Sequence, residues 1–356
     1  MHDETSARPG RRQMLVVAGS GRSGTSLFTG LTGRLGVHIP KPEVSANRSN
    51  PRGFGEPRWL VDYHNDLLAQ VDVVVEDGRP EAWDLTDALA GDEEALGPLA
   101  EWYDLQFGES ERIVVKDPRL AWFLQLHRAA AERVRADLRV ATMLRHPAEV
   151  MRSREIAYGT RTSNTTRVIG WLTMMLGTEI RTRDLPRATV RYDDLLSDWR
   201  DALTRADSTI GLALFEHATA EQVADAGDLV DPSLHRSTAD WDELALPARV
   251  LDLATRTYDA YGRLVGAPAG DQAETRDQLD VLRDELSAYY DECFDVARTR
   301  TGSFARSEKR KTARRVRREL AEAAGQHESG GGVEQLTERV GGLARRAAGK
   351  LRKRSS

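Results

Sequence analysis

The chain has 356 residues, 40% of them hydrophobic and 30% charged, with a mean hydropathy of −0.52. That is ample for a large buried core, too apolar for a wholly disordered chain, and without the ~18 consecutive apolar residues of a spanning helix. One cysteine, Cys293, excludes an internal disulfide framework and a Cys-only zinc site.

The longest apolar run near the N-terminus, Met14 to Ala18, is shorter than the ~7–15 residues of a signal-peptide core. The expectation is a soluble, cytoplasmic protein. Charge is unevenly spread. Residues 300–356 carry 16 basic and 6 acidic side chains, a net of +10, leaving 35 basic and 50 acidic for the preceding 299 residues. An acidic body therefore precedes a basic tail.

In chain order, residues 1–12 read as a flexible arm. Met14-Leu-Val-Val-Ala18 suits a strand buried on both faces, and a glycine-rich turn and a helix from Thr25 follow. Ile113–Lys116, Leu138–Leu144 and Ala188–Tyr192 repeat the strand pattern, and Val71–Val75 is a weaker example. Helical spacing occupies 59–69, 90–107, 120–135, 147–154, 168–183 and 194–210. Strands alternating with helices predict an α/β fold, a P-loop-like parallel sheet flanked by helices. Beyond residue 245 the strand signal ends, and helices are expected over 246–265, 275–298, 307–324 and 334–351. The expected organisation is an α/β domain over 13–268 and a helical, basic, partly disordered extension over 269–356. Cys293 is expected to be a half-buried helix residue.

The turn Gly19-Ser-Gly-Arg-Ser-Gly-Thr-Ser26 lies between a strand and a helix. Its glycines let several backbone N–H groups converge, and the helix dipole adds positive potential, so an anion cradle is expected over Gly21, Arg22, Ser23, Gly24, Thr25 and Ser26. Laid on the pattern G-x-x-x-x-G-K-[ST], it has Gly19, Gly24 and Ser26 in place, but Thr25 stands where the lysine belongs. That lysine reaches the terminal phosphates of ATP or GTP, so ordinary nucleotide hydrolysis is not expected. Arg22 offers a fork of donors to an oxyanion instead.

A second signal is Leu144-Arg-His-Pro-Ala-Glu-Val-Met-Arg-Ser153. Arg145 ends a strand, Pro147 suits a helix start, and Ser153 lies about two turns later. The carboxyl ends of parallel strands are where open α/β sheets bind ligands. Arg145 and Ser153 either hold a second phosphate or are a helix-start arginine and a surface serine. Lys116 ends an apolar strand and can point its charge to the same edge. Glu56 follows the loop Asn50-Pro-Arg-Gly-Phe-Gly, and His64 comes eight residues on, two helical turns along. The acidic and histidine residues show no metal-ligand spacing, so no metal is expected.

Arg22-Ser-Gly-Thr-Ser26 together with Arg145 and Ser153 resembles the sulfotransferase family. Asn50–Glu56, Val115-Lys-Asp-Pro-Arg-Leu120, Val190–Leu196 and Val230-Asp-Pro-Ser-Leu-His-Arg236 extend the resemblance to a bacterial branch close to the Golgi-type and tyrosylprotein sulfotransferases. It covers roughly residues 13–265. It implies 3′-phosphoadenosine 5′-phosphosulfate (PAPS) as sulfuryl donor, with the first loop on the 5′-phosphosulfate and Arg145 and Ser153 on the 3′-phosphate. Lys116 would serve the leaving oxygen and Glu56 would be the base, with His64 second in line. Arg236, in a late loop, would clamp the nucleotide, while Tyr192 would pack at its strand end. The catalytic histidine and the Arg-Lys-Gly loop of the cytosolic sulfotransferases are missing.

The implied acceptor is a hydroxyl or amine of a carbohydrate, lipid or other small molecule. A P-loop small-molecule or nucleotide kinase is the competing enzyme. A non-catalytic nucleotide-binding scaffold, whose tail Lys309–Arg318 touches polyanions or a membrane surface, is the competing binder.

Overall fold

The computed structural model describes residues 11–47, 50, 53–159, 162–231, 239–267 and 272–325. The chain divides into two compact units, Met1–Tyr290 and Asp291–Ser356. The first is an α/β domain on a four-stranded parallel sheet ordered β2-β1-β3-β4, with β1 Gln13–Ala18, β2 Arg112–Lys116, β3 Asp137–Leu144 and β4 Arg187–Arg191. The helices are α1 Thr25–Arg34, α2 Arg58–Gln70, α3 Ala82–Asp87, α4 Glu93–Glu109, α5 Leu124–Arg133, α6 Pro147–Tyr158 and α7 Asn164–Arg181. After β4 come α8 Tyr192–Ser197, α9 Trp199–Ile210, α10 Leu214–His217, α11 Ala220–Gly227, α12 Ala248–Leu264 and α13 Ala273–Gly325.

The apolar run of β1 is central because it is paired on both edges and buried on both faces. Successive side chains alternate faces. Met14, Val16 and Ala18 join a core with Leu60, Trp83, Leu99, Tyr103 and Trp122, while Leu15 and Val17 join another with Phe28, Leu31, Val190 and Leu203. A third core gathers α6, α7, α12 and the first turns of α13 through Leu279, Leu282 and Leu286. The outer edge of β2 is covered in part by His38, whose backbone donates to Arg112 O and accepts from Val114 N, so that edge is not left open.

Three sequence expectations change. Val71–Val75 is not a strand. Asp72 takes a left-handed φ of 52°, which breaks the extended geometry, and Val73 turns into the core while Val74 faces solvent. Residues 275–298 and 307–324 belong to one helix, α13. Cys293 is exposed rather than half-buried. In the arm, Arg11 pairs with Asp137 and Arg12 with Asp104. In the second unit, Lys309, Arg310, Lys311 and Arg314 are exposed. The helix expected over 334–351 lies outside the described residues, as do 1–10. No helix among the described residues is long and apolar enough to cross a membrane.

Candidate active site

Because all four strands are parallel, their carboxyl ends share one edge of the sheet. The chain leaves β1 for β2 on one side and reaches β3 on the other, so a crevice opens at the end of β1, the usual ligand position in such sheets. The glycine-rich loop occupies it. Gly24 has φ +94°, and a Cβ there would lie 2.3 Å from Tyr192 Cδ2, so conformation and packing both require glycine. It precedes α1 and brings no side-chain cap, so N–H groups of the first helical turn remain for an anion. Arg22 holds φ 75°, a left-handed value that costs a non-glycine residue about 1–3 kcal/mol and recurs at ligand sites. The loop is braced from within, Ser23 Oγ donating to Ser20 O at 2.6 Å.

On the β3 side, the second sequence signal meets the first. Arg22 Nε donates to Ser153 Oγ at 3.1 Å, and Arg145 Nη1 donates to Arg22 O at 3.1 Å. Arg145 also bonds Glu149 Oε2 at 2.9 Å, one helical turn on, and its guanidinium lies 4.4 Å from the centre of the Tyr192 ring. Tyr192 thus closes the back of the crevice, packed on both Gly24 and Arg145, and its burial raises the phenol above its ordinary pKa. Arg154 pairs with Glu76. Burial lowers the Arg154 guanidinium, and the charges of Arg167 and Arg22 act the same way. This flank is densely cationic.

On the β2 side, Lys116 uses all three ammonium donors: Glu56 Oε1 at 2.5 Å, Ser26 Oγ at 3.1 Å and Phe54 O at 3.2 Å. Lys116 is 2% and Glu56 7% exposed. The carboxylate arrives on the loop after α1, where Gly55 (φ +65°) passes so close to Thr29 that a Cβ would lie 2.9 Å from its Cγ2. Asn50 Nδ2 reaches Ser26 Oγ at 3.4 Å. The candidate base, the candidate leaving-group lysine and the glycine-rich loop therefore converge, although they come from three separate stretches of chain.

His64 is placed differently. It is fully buried, with Nδ1 on Asp117 Oδ2 at 2.8 Å and Nε2 on His127 Nε2 at 3.0 Å. Asp117 in turn accepts from the Arg119 backbone and guanidinium at 3.1 and 2.7 Å. Burial alone would raise the Asp117 carboxyl, but the His64 hydrogen bond together with Arg119 outweighs it and holds it below its ordinary value. Arg236 lies outside the described residues. Among the described residues, no cluster of His, Cys, Asp or Glu is arranged to hold a metal ion.

Glu149, the Phe54 carbonyl, the contact of Tyr192 with Gly24 and the pairing of Asp117 with His64 went unread in the sequence. The spacing of four between Arg145 and Glu149 was a usable signal. The contacts of Tyr192 with Gly24 had none.

The fold defines an α/β domain on a four-stranded parallel sheet, with a P-loop-like glycine loop in which Thr25 stands at the lysine position. No family model and no curated protein matches the chain. Among solved structures it is similar to the sulfotransferase domain from the Synechococcus PCC 7002 olefin synthase, at 17% identity and a TM-score of 0.41, over 72% of this chain and 98% of that one.

Proposed function

We propose that this chain is a PAPS-dependent sulfotransferase that moves a sulfuryl group to a hydroxyl or amine of a carbohydrate, lipid or other small acceptor. The observation that carries the reading is the meeting of Glu56, Lys116 and Ser26 on one flank of the loop while Arg22, Arg145 and Ser153 meet on the other. One flank suits chemistry and the other suits a second phosphate. The glycine-rich loop and the adjoining arginines fit a nucleotide with two anionic ends.

PAPS supplies an activated sulfuryl group on a phosphate oxygen. In this reading the N–H groups of the loop and Arg22 bind the 5′ end, and Arg145 and Ser153 bind the 3′-phosphate. Lys116 presents an ammonium to the oxygen on which charge develops, the kind of preorganised electrostatic help that dominates such transfers. Glu56 takes the acceptor proton, and its contact with Lys116 keeps the proton's destination and the leaving-group donor together.

The kinase alternative gains nothing from Asp117, the acid that could organise magnesium, because His64 and Arg119 occupy its oxygens. The test is transfer of radiolabelled sulfate from PAPS to a mixture of small hydroxyl and amine acceptors. A labelled product that needs the protein supports the reading. Phosphate transfer from magnesium-ATP without sulfate transfer from PAPS removes it.

A further inference from the structure

No step above uses the buried chain that runs back from Asp117. His64 continues to His127, and His127 Nδ1 lies 2.6 Å from the Tyr103 hydroxyl. Asp117, His64, His127 and Tyr103 are all 0–1% exposed. A buried polar group left unpaired costs about 1–3 kcal/mol, so four in a row survive only if their protons are ordered.

One order satisfies every contact. The Tyr103 hydroxyl donates to His127 Nδ1, His127 Nε2–H donates to His64 Nε2, and His64 Nδ1–H donates to Asp117. If His64 instead carried protons on both nitrogens, His127 would donate towards Tyr103 and strand the hydroxyl proton, since His127 is the hydrogen-bond partner of that hydroxyl among the described residues. Burial pushes His127 well below and Tyr103 well above their ordinary pKa values, in keeping with a neutral imidazole beside a neutral phenol.

The same helix grips the turn twice. His64 holds Asp117, and Asn65 Oδ1 accepts from Arg119 Nε at 2.6 Å. Just ahead of α2, Glu56 holds Lys116. The end of β2 is thereby fastened at 116, 117 and 119 to one short stretch of chain.

We propose that His64 is a positioning residue: anchored by His127 and Tyr103, it holds Asp117 and so fixes the Lys116–Arg119 turn that aims the Lys116 ammonium at the leaving oxygen. This rests on the sulfotransferase reading of Lys116. It separates His64 from acceptor deprotonation, since its two ring nitrogens are committed to Asp117 and His127.

The test needs no known acceptor. Full-length protein is given radiolabelled PAPS, and release of sulfate to water is followed: the sulfur–oxygen bond to the phosphate breaks, a water oxygen bonds sulfur, and adenosine 3′,5′-bisphosphate and sulfate are produced. His64→Ala should slow release on the order of 10–100-fold, the scale of losing alignment at a reacting centre. His64→Asn, which can still donate to Asp117, should recover most of it, and Tyr103→Phe should show a smaller loss than His64→Ala. In a Lys116→Ala background all three should change release by less than about twofold, because a residue acting through Lys116 has nothing left to aim.

Equal losses in both backgrounds, or full activity of His64→Ala, would overturn the positioning role. If His64→Ala does not fold, Tyr103→Phe carries the test, and an unchanged rate in it counts against the proposal. Wild-type protein that neither binds adenosine 3′,5′-bisphosphate nor releases sulfate would instead overturn the reading beneath it.

Discussion

The two flanks of the loop after β1 are built by different means. The β3 flank joins two short motifs that lie 123 to 131 residues apart: Arg145 is held by Glu149 four residues on and reaches the Arg22 carbonyl, and Arg22 reaches Ser153. The β2 flank also joins residues far apart in the chain, Glu56 to Lys116 and His64 to Asp117 and His127, but around one lysine and a buried run of histidines. The β3 flank gathers arginines, Arg22 partly exposed and Arg145 as buried as Glu56, and it suits binding, where a charge need only be present. A lysine whose three donors are all taken up suits chemistry, where alignment decides the rate.

That difference predicts what mutations do. The largest effect should come from Glu56→Gln, which keeps the shape but removes the base: transfer should fall by about 10²–10⁴-fold, while calorimetry shows an unchanged Kd for adenosine 3′,5′-bisphosphate. Equal losses in affinity and turnover would erase the distinction between the flanks. Next, Lys116→Ala should lower turnover by about 10²–10³-fold, the scale of removing one preorganised donor, with a smaller change in the bisphosphate Kd. On the other flank Arg145→Ala should weaken that Kd by roughly 10–100-fold, since a charge-assisted contact is typically worth about 1.5–3 kcal/mol.

The smallest effect concerns stability and again singles out the β2 flank. His127 is held neutral in the fold, its pKa depressed by burial. The unfolded chain therefore binds a proton below pH ~6.5 that the native protein refuses, so stability falls as pH drops below that value. Chemical denaturation from pH 6.5 downwards should show the wild type losing about 1.4 kcal/mol per pH unit more than His127→Phe. Parallel curves would mean that His127 takes up a proton in the fold.

The same contrast explains what the sequence made legible. The strands, the glycine loop, Arg22, Arg145, Ser153 and Lys116 stood out because local pattern carries them: a Val-rich run, a turn, a proline at a helix start. Glu56 was reachable through the loop ahead of it. The engagement of His64 was not, because a histidine on a helix has the same local signature whether it faces a cleft or two buried partners, and His127 and Tyr103 lie 63 and 39 residues away from it. Short helices such as α3, α10 and α11 also escaped notice, as four to eight residues offer too few turns for periodicity to register.

The most direct measurement is calorimetric titration of the full-length protein with adenosine 3′,5′-bisphosphate and, separately, with magnesium-ATP. The account predicts binding of the bisphosphate without added metal, weakened by both Arg22→Ala and Arg145→Ala, and a thermal stabilisation of about 2.7 kcal/mol at a hundredfold excess over Kd. Binding of magnesium-ATP alone, or a bisphosphate affinity indifferent to both arginines, would contradict it.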